Sequence, residues 1–202
     1  MVRAAHPLDG VTFVAFDTET TGFDARAGRV VEIAGVKFTL AGRILDSFTS
    51  LIDPGIPIPE DAIRVHGITD AEVRGYPSAR QVLSRFFSFC GGPETVLVAH
   101  NAPFDIGFLR EEIARHDLPF PENPVLDTLV LSRRYYRHLP NHRLETVARS
   151  LGLLIEEQHR AFPDSLLVKG IVTHLFSGLE PQLAVDEVGR SRLRLAISAG
   201  RP

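Results

Sequence analysis

The chain has 202 residues, of which 44% are hydrophobic and 23% are charged, and its formal net charge is −3. This length and composition predict one globular domain with its own core, and they exclude disordered and low-complexity proteins. The single cysteine, Cys90, excludes a disulfide-framed scaffold and a cysteine-based zinc site. The first ten residues include Pro7 and Asp9 and lack an apolar targeting segment, and no apolar run reaches about 18 residues. We therefore expect a soluble cytoplasmic protein without a membrane span.

Hydrophobic patterning predicts strands and helices in a characteristic order along the chain. Short apolar or β-branched runs predict strands at 11–17, 30–38, 43–52, 95–99 and 124–126. Apolar residues at helical spacing predict a helix from about Glu60 and others at 78–89, 104–115, 127–136, 144–151 and 161–176. This order indicates an α/β fold, in which helices flank a mixed sheet that begins with antiparallel strands. We assign 1–178 to this domain and 179–202 to a C-terminal basic tail.

Two carboxylates lie where the first predicted strand ends. Asp17 is the last residue of that strand, and Glu19 follows two positions later. In an extended backbone, residues two apart point to the same side, so both acids would project together. Like charges held close together raise each other's pKa unless a cation lies between them. The same spacing also arises by chance among 25 acidic residues, as at Asp70 and Glu72, so the pair alone does not define a site.

The segment 100–105 follows a predicted strand and opens a predicted helix, which places Asp105 in the first helical turn. Acids are also favoured there simply because of the helix dipole. However, strand-to-helix junctions of α/β sheets are where functional sites collect. If the first and fourth strands are neighbours, Asp105 reaches the side chains of Asp17 and Glu19.

A third feature is His159, followed by Asp164. Five positions on one helix are about 140° apart, so the two side chains share a site only if His159 precedes the helix and Asp164 lies in its first turn. Pro163 supports this arrangement because proline is tolerated in an opening turn. By itself, the pattern would fit a surface histidine and a helix-start acid better than a site.

Together, the three features predict four carboxylates with one imidazole beside them. Oxygen donors select hard cations such as Mg²⁺ or Mn²⁺, and a pair of such ions supports phosphodiester hydrolysis. A histidine titrates near neutral pH, so His159 could remove a proton from the attacking water. A net charge of −3 argues against nucleic-acid binding, but two bound divalent cations would bring it to +1.

The ordered set of motifs resembles the DEDDh family of 3′–5′ exonucleases, and within it most closely the proofreading epsilon-subunit type of bacterial DNA polymerase III. The resemblance spans about 11–176 and implies a ribonuclease H-like fold with a mixed five-stranded sheet. The motifs that carry it are FDTETTG at 16–22, VHGIT at 65–69, HNAPFDIGF at 100–108 and HRAFPD at 159–164.

This resemblance implies a role for each matching residue. The metal ligands would be the four acids Asp17, Glu19, Asp105 and Asp164, and His159 would be the general base. Substrate contacts are implied for Thr18, Thr20, His66, Asn101 and Phe104. Two of these also have ordinary structural interpretations, Phe104 in the core and His66 in its turn. We expect His100 to organise its loop rather than to bind metal.

The implied activity is removal of nucleoside monophosphates from 3′ ends of single-stranded or frayed DNA, with two Mg²⁺ or Mn²⁺ ions. An RNA-trimming enzyme of the same family and a non-catalytic nucleic-acid or polymerase-binding module are the alternatives. Association with a DNA polymerase and stand-alone action are both compatible with the sequence.

Two further segments leave alternatives open. Phe162 and Pro163 stand where similar enzymes carry small or flexible residues, so His159 is either preorganised or held away from the metals. The basic and aromatic stretch 133–138, with His142 and Arg143, either tracks a single strand or forms a solvated helix with buried tyrosines. We favour the solvated helix.

Overall fold

A computed structural model describes residue 8, residues 10–119, 121–154 and 159–179, and the backbone of 193–194. The strands are β1 (Thr12–Thr20), β2 (Val30–Thr39), β3 (Ile44–Leu51), β4 (Val96–Ala99), β5 (Pro124–Asp127) and β6 (Leu193–Arg194). The helices are α1 (Glu60–His66), α2 (Asp70–Val73), α3 (Ala79–Cys90), α4 (Ala102–His116), α5 (Thr128–Tyr135), α6 (Leu144–Ser150) and α7 (Ala161–Gly178).

The strands form one mixed sheet in the order β3-β2-β1-β4-β5-β6. The pairs β1–β2, β2–β3 and β5–β6 are antiparallel, whereas β1–β4 and β4–β5 are parallel. Because β1, β4 and β5 are parallel, their carboxyl ends lie side by side at the same end of the sheet. Ligand sites of open α/β sheets lie at this end.

The central strand β1 is covered on both faces, which explains its continuous apolar run. Val14 and Phe16 face a core completed by α3 and α4, whereas Phe13 and Ala15 face a second core completed by α5 and α7. A smaller cluster, which includes Ile68, lies beneath α1 and α2. The two large cores hold β1 rigidly and so fix the residues at its end.

The structure confirms a mixed sheet flanked by helices, with the first three strands antiparallel and all five predicted strands present. The prediction that the first strand ends at Asp17 was wrong, because β1 stays paired with β2 as far as Thr20. The helix predicted to begin at Phe104 is α4, which begins at Ala102, since Pro103 fits a first turn.

One part of the C-terminal segment was not predicted. β6 adds two residues to the free edge of β5, within the segment assigned to the basic tail. The rest of 180–202 lies outside the described residues, so the division at residue 178 remains a prediction. Among the helices of the described residues, none combines the length and the apolar character that a membrane span requires.

Candidate active site

Three acidic side chains converge at the end of β1. Asp17 and Glu19 lie two residues apart on the extended strand, and Asp164 comes from the first turn of α7. One carboxylate oxygen from each lies within 4.8 Å of those of the other two. The chain therefore brings together acids that are about 145 residues apart in the sequence, as their motifs predict.

The fourth acid, Asp105, lies beside this group in the first turn of α4 and is almost completely buried. Its Oδ1 accepts hydrogen bonds from the backbone N–H of Thr18 at 3.1 Å and from Thr18 Oγ1 at 2.7 Å. These bonds join the first turn of α4 to β1 and place Asp105 next to Asp17. The β1–β4 adjacency on which the sequence argument depended is present.

Burial raises the pKa of all four carboxyl groups, and the charges of nearby acids add to this effect. Burial raises the pKa of Asp17 well above its usual range, with further contributions from the charges of Asp105 and Glu19. Burial raises the pKa of Glu19 to about 8, that of Asp105 to about 7 and that of Asp164 to about 6. A cluster that resists ionisation in this way is stabilised by positive charge.

The donor set fits a hard divalent cation. Carboxylate oxygens are the ligands that such cations prefer, and a bound cation would remove the repulsion among the four acids. The observation that supports the fit is the convergence of three ligand oxygens within 4.8 Å in a partly buried group. Asp17, Glu19 and Asp164 would hold the cation directly, and Asp105 stands behind Asp17.

We expect the cation-free protein to lose thermal stability as the pH rises from about 5 to about 8. In this range the unfolded carboxyl groups, with pKa values near 4, have released their protons, whereas Glu19, Asp105 and Asp164 in the folded protein still retain part of theirs. The folded state then binds more protons than the unfolded state, so the free energy of unfolding falls with rising pH.

A divalent cation should reverse this loss. At 100 times its Kd it adds about 2.7 kcal/mol, or about 5–11 °C in Tm, and the gain should be largest at high pH. Thermal melts in EDTA and in Mn²⁺ across this pH range check both effects. The Glu19→Gln variant should show a flatter pH dependence in EDTA, and a parent Tm that rises with pH in EDTA would contradict the prediction.

His159 lies in the loop before α7, and Asp164 lies in the first turn of that helix, as the spacing predicts. The His159 side chain is exposed and lines the same cleft as Asp17 and Asp164. The proximity of His159 and a hydrogen bond from its backbone both lower the pKa of Asp164, against the larger effect of burial. His159 has φ = 58°, in the left-handed region that residues other than glycine rarely adopt.

The structure adds a residue that the sequence analysis missed. Glu32 on β2 lies directly opposite Glu19 on β1, and its carboxylate forms a two-point ion pair with Arg160. The same carboxylate accepts a hydrogen bond from the backbone N–H of Ala161, the first residue of α7. A lone acid within the apolar run VVEIAGV was the signal that could have identified Glu32.

The acids open into a cleft of about 960 Å³. This volume is near the upper end of the roughly 300–1,000 Å³ range of small-molecule sites, so the cleft has room beyond a single small ligand. The cleft is lined by Asp17, His159 and Asp164 and by a wall that consists of α5, the connection to α6 and the first turn of α6. The α5–α6 wall contributes Leu129, Arg133, Asn141, His142, Arg143, Leu144 and Glu145.

The two threonines implied as substrate contacts have their hydroxyl groups engaged within the protein. Thr18 Oγ1 donates to Asp105, and Thr20 Oγ1 donates to the carbonyl oxygen of Gly22 at 2.7 Å. Both side chains are buried. Contact with a substrate at this segment would therefore involve the backbone, which remains a prediction.

His66 is the last residue of α1 and is buried. Its Nδ1 accepts a hydrogen bond from the backbone N–H of Ile68 at 3.0 Å, which matches the interpretation that it caps its turn. Burial lowers the pKa of His66, and the nearby backbone of Thr20 opposes this shift. His66 therefore supports the end of β1 from below, and its contact with a terminal nucleotide stays a prediction.

Asn101 and Phe104 lie at the start of α4. Asn101 is exposed, lines the cleft and has φ = 63°. Phe104 is half-buried between the core residue Phe108, at a ring-centroid distance of 5.1 Å, and Phe23, at 6.4 Å. Phe23 is 87% exposed at the cleft and was missed by the sequence analysis. An exposed aromatic ring beside polar cleft residues can stack against a base.

His100 organises the wall of the cleft through two hydrogen bonds. Its Nδ1 lies 2.9 Å from Thr128 Oγ1, and its Nε2 lies 2.9 Å from the carbonyl oxygen of His142. Burial lowers the pKa of His100, which favours the neutral ring that donates from Nε2 and accepts at Nδ1. His100 thus joins the end of β4 to α5 and to the α5–α6 connection.

This geometry, a mixed sheet with four acids and a histidine at the end of its central strand, defines a nuclease with a ribonuclease H-like fold. The chain belongs to the Exonuclease family, also called RNase_T, whose model matches residues 14–171. Members of this family are hydrolases that generally use divalent cations. The resemblance seen in the motifs is therefore confirmed at the level of the family.

Two groups of known proteins are similar to the chain. It is 41% identical over 159 residues to the PolC-type DNA polymerase III of Pediococcus pentosaceus and 42% identical over 158 residues to that of Listeria monocytogenes. These matches cover 79% and 78% of the chain but only 11% of each polymerase. The chain thus corresponds to a small part of those relatives.

Among solved structures, exonuclease X in complex with 5′ overhanging duplex DNA matches with a TM-score of 0.68 and 27% identity, over 88% of this chain and 99% of that one. Exonuclease I of E. coli in complex with a dA16 oligonucleotide matches with a TM-score of 0.78 and 20% identity, over 87% of this chain and 42% of that one. The second match supports the fold alone.

Proposed function

We propose that the chain is a 3′–5′ exonuclease that hydrolyses phosphodiester bonds at 3′ ends of single-stranded or frayed DNA and releases nucleoside 5′-monophosphates. The observation that carries the proposal is the convergence of Asp17, Glu19 and Asp164, with Asp105 behind them and His159 in the same cleft. All five residues that the chemistry requires, four acids and one histidine, are present, which disfavours a purely non-catalytic binding module.

We propose that the acids hold two Mg²⁺ or Mn²⁺ ions. When bound, such ions would act as Lewis acids that polarise the phosphate and stabilise the negative charge on the leaving oxygen. The four acids would hold these ions, and His159 would act on the water. His159 accepts the proton of the attacking water, whose oxygen forms the new bond to phosphorus while the bond to the 3′ oxygen of the preceding nucleotide breaks.

The terminal nucleotide would be bound in the cleft, between the acids and the α5–α6 wall. The backbone at Thr18–Thr20 faces the terminal sugar in this proposal, and the aromatic surface of Phe104 and Phe23 receives the base. Asn101 closes the end of this pocket, and His66 supports it from beneath. The proposal uses the exposed ring of Phe23 because base stacking tolerates all four bases.

We expect Arg133 and Arg143 to contact phosphates upstream of the terminal nucleotide, since both are exposed and line the cleft. Tyr135 and Tyr136, in contrast, pack against the core on the α5 side. Arg133→Ala and Arg143→Ala should each reduce the slope of log affinity against log salt by about 0.7. Titration of a labelled single strand in EDTA at several salt concentrations measures this slope.

The control for these two variants is Arg80→Ala, an exposed arginine on α3, which packs on the other face of the sheet. It should leave the salt slope at the parent value. Equal slopes for the parent and for both cleft variants would remove the arginines from the strand path.

The relatives favour DNA over RNA as the polymer. The proteins with about 41% identity are PolC-type DNA polymerases, and exonuclease X is bound to duplex DNA in its structure. An enzyme that trims RNA would need a pocket that accepts a 2′-hydroxyl.

We also propose that the domain acts alongside a DNA polymerase. It should then remove a mispaired 3′ nucleotide faster than a paired one from the same primer. Equal rates for the two nucleotides would contradict this proposal.

A single assay tests the proposed function. Matched DNA and RNA oligonucleotides, labelled at the 3′ or the 5′ end, are incubated with Mg²⁺, Mn²⁺ or EDTA. We expect immediate release of a labelled mononucleotide from 3′-labelled DNA, a ladder of shortened 5′-labelled DNA, and neither in EDTA. Mononucleotide release that starts from the 5′ end, or cleavage that persists in EDTA, would contradict the proposal.

A further inference from the structure

Glu32 makes three hydrogen bonds that link β2 to the residues following His159. Arg160 Nε donates to Glu32 Oε2 at 3.1 Å, and Arg160 Nη2 donates to Oε1 at 2.8 Å. The backbone N–H of Ala161 donates to Oε2 at 3.0 Å. The Glu32 side chain is 5% exposed, so these partners compensate a buried charge.

This position makes Glu32 different from the neighbouring acids. It lies opposite Glu19 in the β1–β2 register, yet both of its oxygens are engaged by Arg160 and Ala161. The cluster of converging ligand oxygens is formed by Asp17, Glu19 and Asp164. Glu32 therefore belongs to the support of the site and not to its ligand set.

The loop that carries His159 needs such support. His159 has a left-handed backbone conformation, φ = 58°, and its side chain is exposed. Unfavourable backbone conformations persist where the surrounding contacts hold them in place. On the C-terminal side of His159, the next two residues, Arg160 and Ala161, are both bonded to Glu32.

The helix that follows is also fixed to β2. The buried Ser165 Oγ lies within hydrogen-bonding distance of the carbonyl oxygens of Ala161, at 2.7 Å, and of Ala34 on β2, at 3.4 Å. The start of α7 is thus bound to the sheet on both sides of Asp164. His159 directly precedes the two residues that Glu32 holds.

We propose that the Glu32–Arg160 pair is a positioning device that fixes the backbone of His159, so that its imidazole stays at the acid cluster. The inference rests on the proposed function, because it assigns a role in the same hydrolysis. Glu32 and Arg160 are positioning residues in it, since they act through His159. Arginine suits this role because its planar fork binds both carboxylate oxygens at once, which lysine cannot do.

The test is a double-mutant cycle with Glu32→Gln and His159→Ala. Glutamine has nearly the same shape, but it is neutral and has one acceptor oxygen, so it cannot accept all three bonds: its NH2 group would face one of the donors of Arg160 or Ala161. In the parent background, Glu32→Gln should lower kcat by about 10- to 100-fold, which is the effect of a misplaced catalytic group. In the His159→Ala background, the same change should cost no more than about twofold, because residues that act as one unit are not additive.

Two further measurements separate positioning from general damage. The Tm gain in Mn²⁺ should be the same for Glu32→Gln and the parent. In the cation-free protein, the imidazole NMR signal of His159, assigned with His159→Ala, should be single in the parent and broadened or split in Glu32→Gln. Arg160→Lys, a change at a partly exposed side chain, should show the same effects to a smaller degree.

The matched control is Glu112→Gln. Glu112 is also a buried carboxylate paired with an arginine, Arg115, but it lies on α4 away from His159. It should lower Tm without the loss in kcat. Equal losses from Glu32→Gln in both backgrounds, or a loss of the Mn²⁺ effect, would overturn the positioning role. If the parent is active, either outcome would refute only the positioning role and not the proposed function. An inactive parent would refute the proposed function itself.

Discussion

Replacing Asp17 by asparagine is expected to abolish nucleotide release and, at the same time, to make the cation-free protein more stable. Asp17 lies at the centre of the acid cluster, where burial and the charges of Asp105, Glu19 and Asp164 all raise its pKa. An amide removes one negative charge from this repulsion, so the folded state gains stability at neutral and higher pH. The same amide weakens cation binding. A bound cation stabilises the transition state by several kcal/mol, so activity should fall by about 10³-fold or more.

The two effects have opposite signs, and this distinguishes a site residue from a structural one. Nucleotide release from a 3′-labelled oligonucleotide measures the first effect. Melts at pH 8 measure the second, with Tm higher than the parent in EDTA and a smaller gain in Mn²⁺; each 1 kcal/mol corresponds to about 2–4 °C. The control is Asp46→Asn, an exposed acid on β3. Retained activity, or a lower Tm in EDTA, would show that Asp17 has another role.

The acids could be predicted from the sequence because each follows a strong local signal. Asp17 and Glu19 come at the end of an apolar strand, and Asp105 opens a helix after the next buried strand. Pro163 indicated that Asp164 lies in a first turn, which the structure confirms. Local patterns fix such positions, and the parallel β1–β4 pairing then brings the separate segments together.

The supporting residues could not be predicted because they depend on register and on long-range packing. Glu32 reaches Arg160 across 128 positions of sequence, and the contact forms only once the start of α7 packs beside β2. Phe23 was missed because a single aromatic residue in a loop has no periodicity. The strand β6 is two residues long, too short for any pattern.

The second large effect concerns His159. We expect His159→Ala to lower kcat by at least about 100-fold, the lower end of the range for general acid–base catalysis. The imidazole is exposed in the cleft beside Asp164, where it can reach a water molecule without displacing a carboxylate. Because His159 lies outside the group of converging ligand oxygens, its loss should leave cation binding nearly unchanged.

The effects of His159→Ala on catalysis and on cation binding can be measured separately on the same sample of the variant. For His159→Ala, the Tm gain in Mn²⁺ and the KM for a single strand should match the parent, while kcat falls. His174→Ala, an exposed histidine on the same helix α7, is the matched control and should behave as the parent does. If Phe162 and Pro163 hold His159 away from the acids, kcat would change little in His159→Ala, and general base catalysis would have to come from another group. A large fall in kcat with the Mn²⁺ effect and KM both intact would instead support a role for the imidazole in the chemical step, because the side chain is exposed and lies outside the group of converging ligand oxygens.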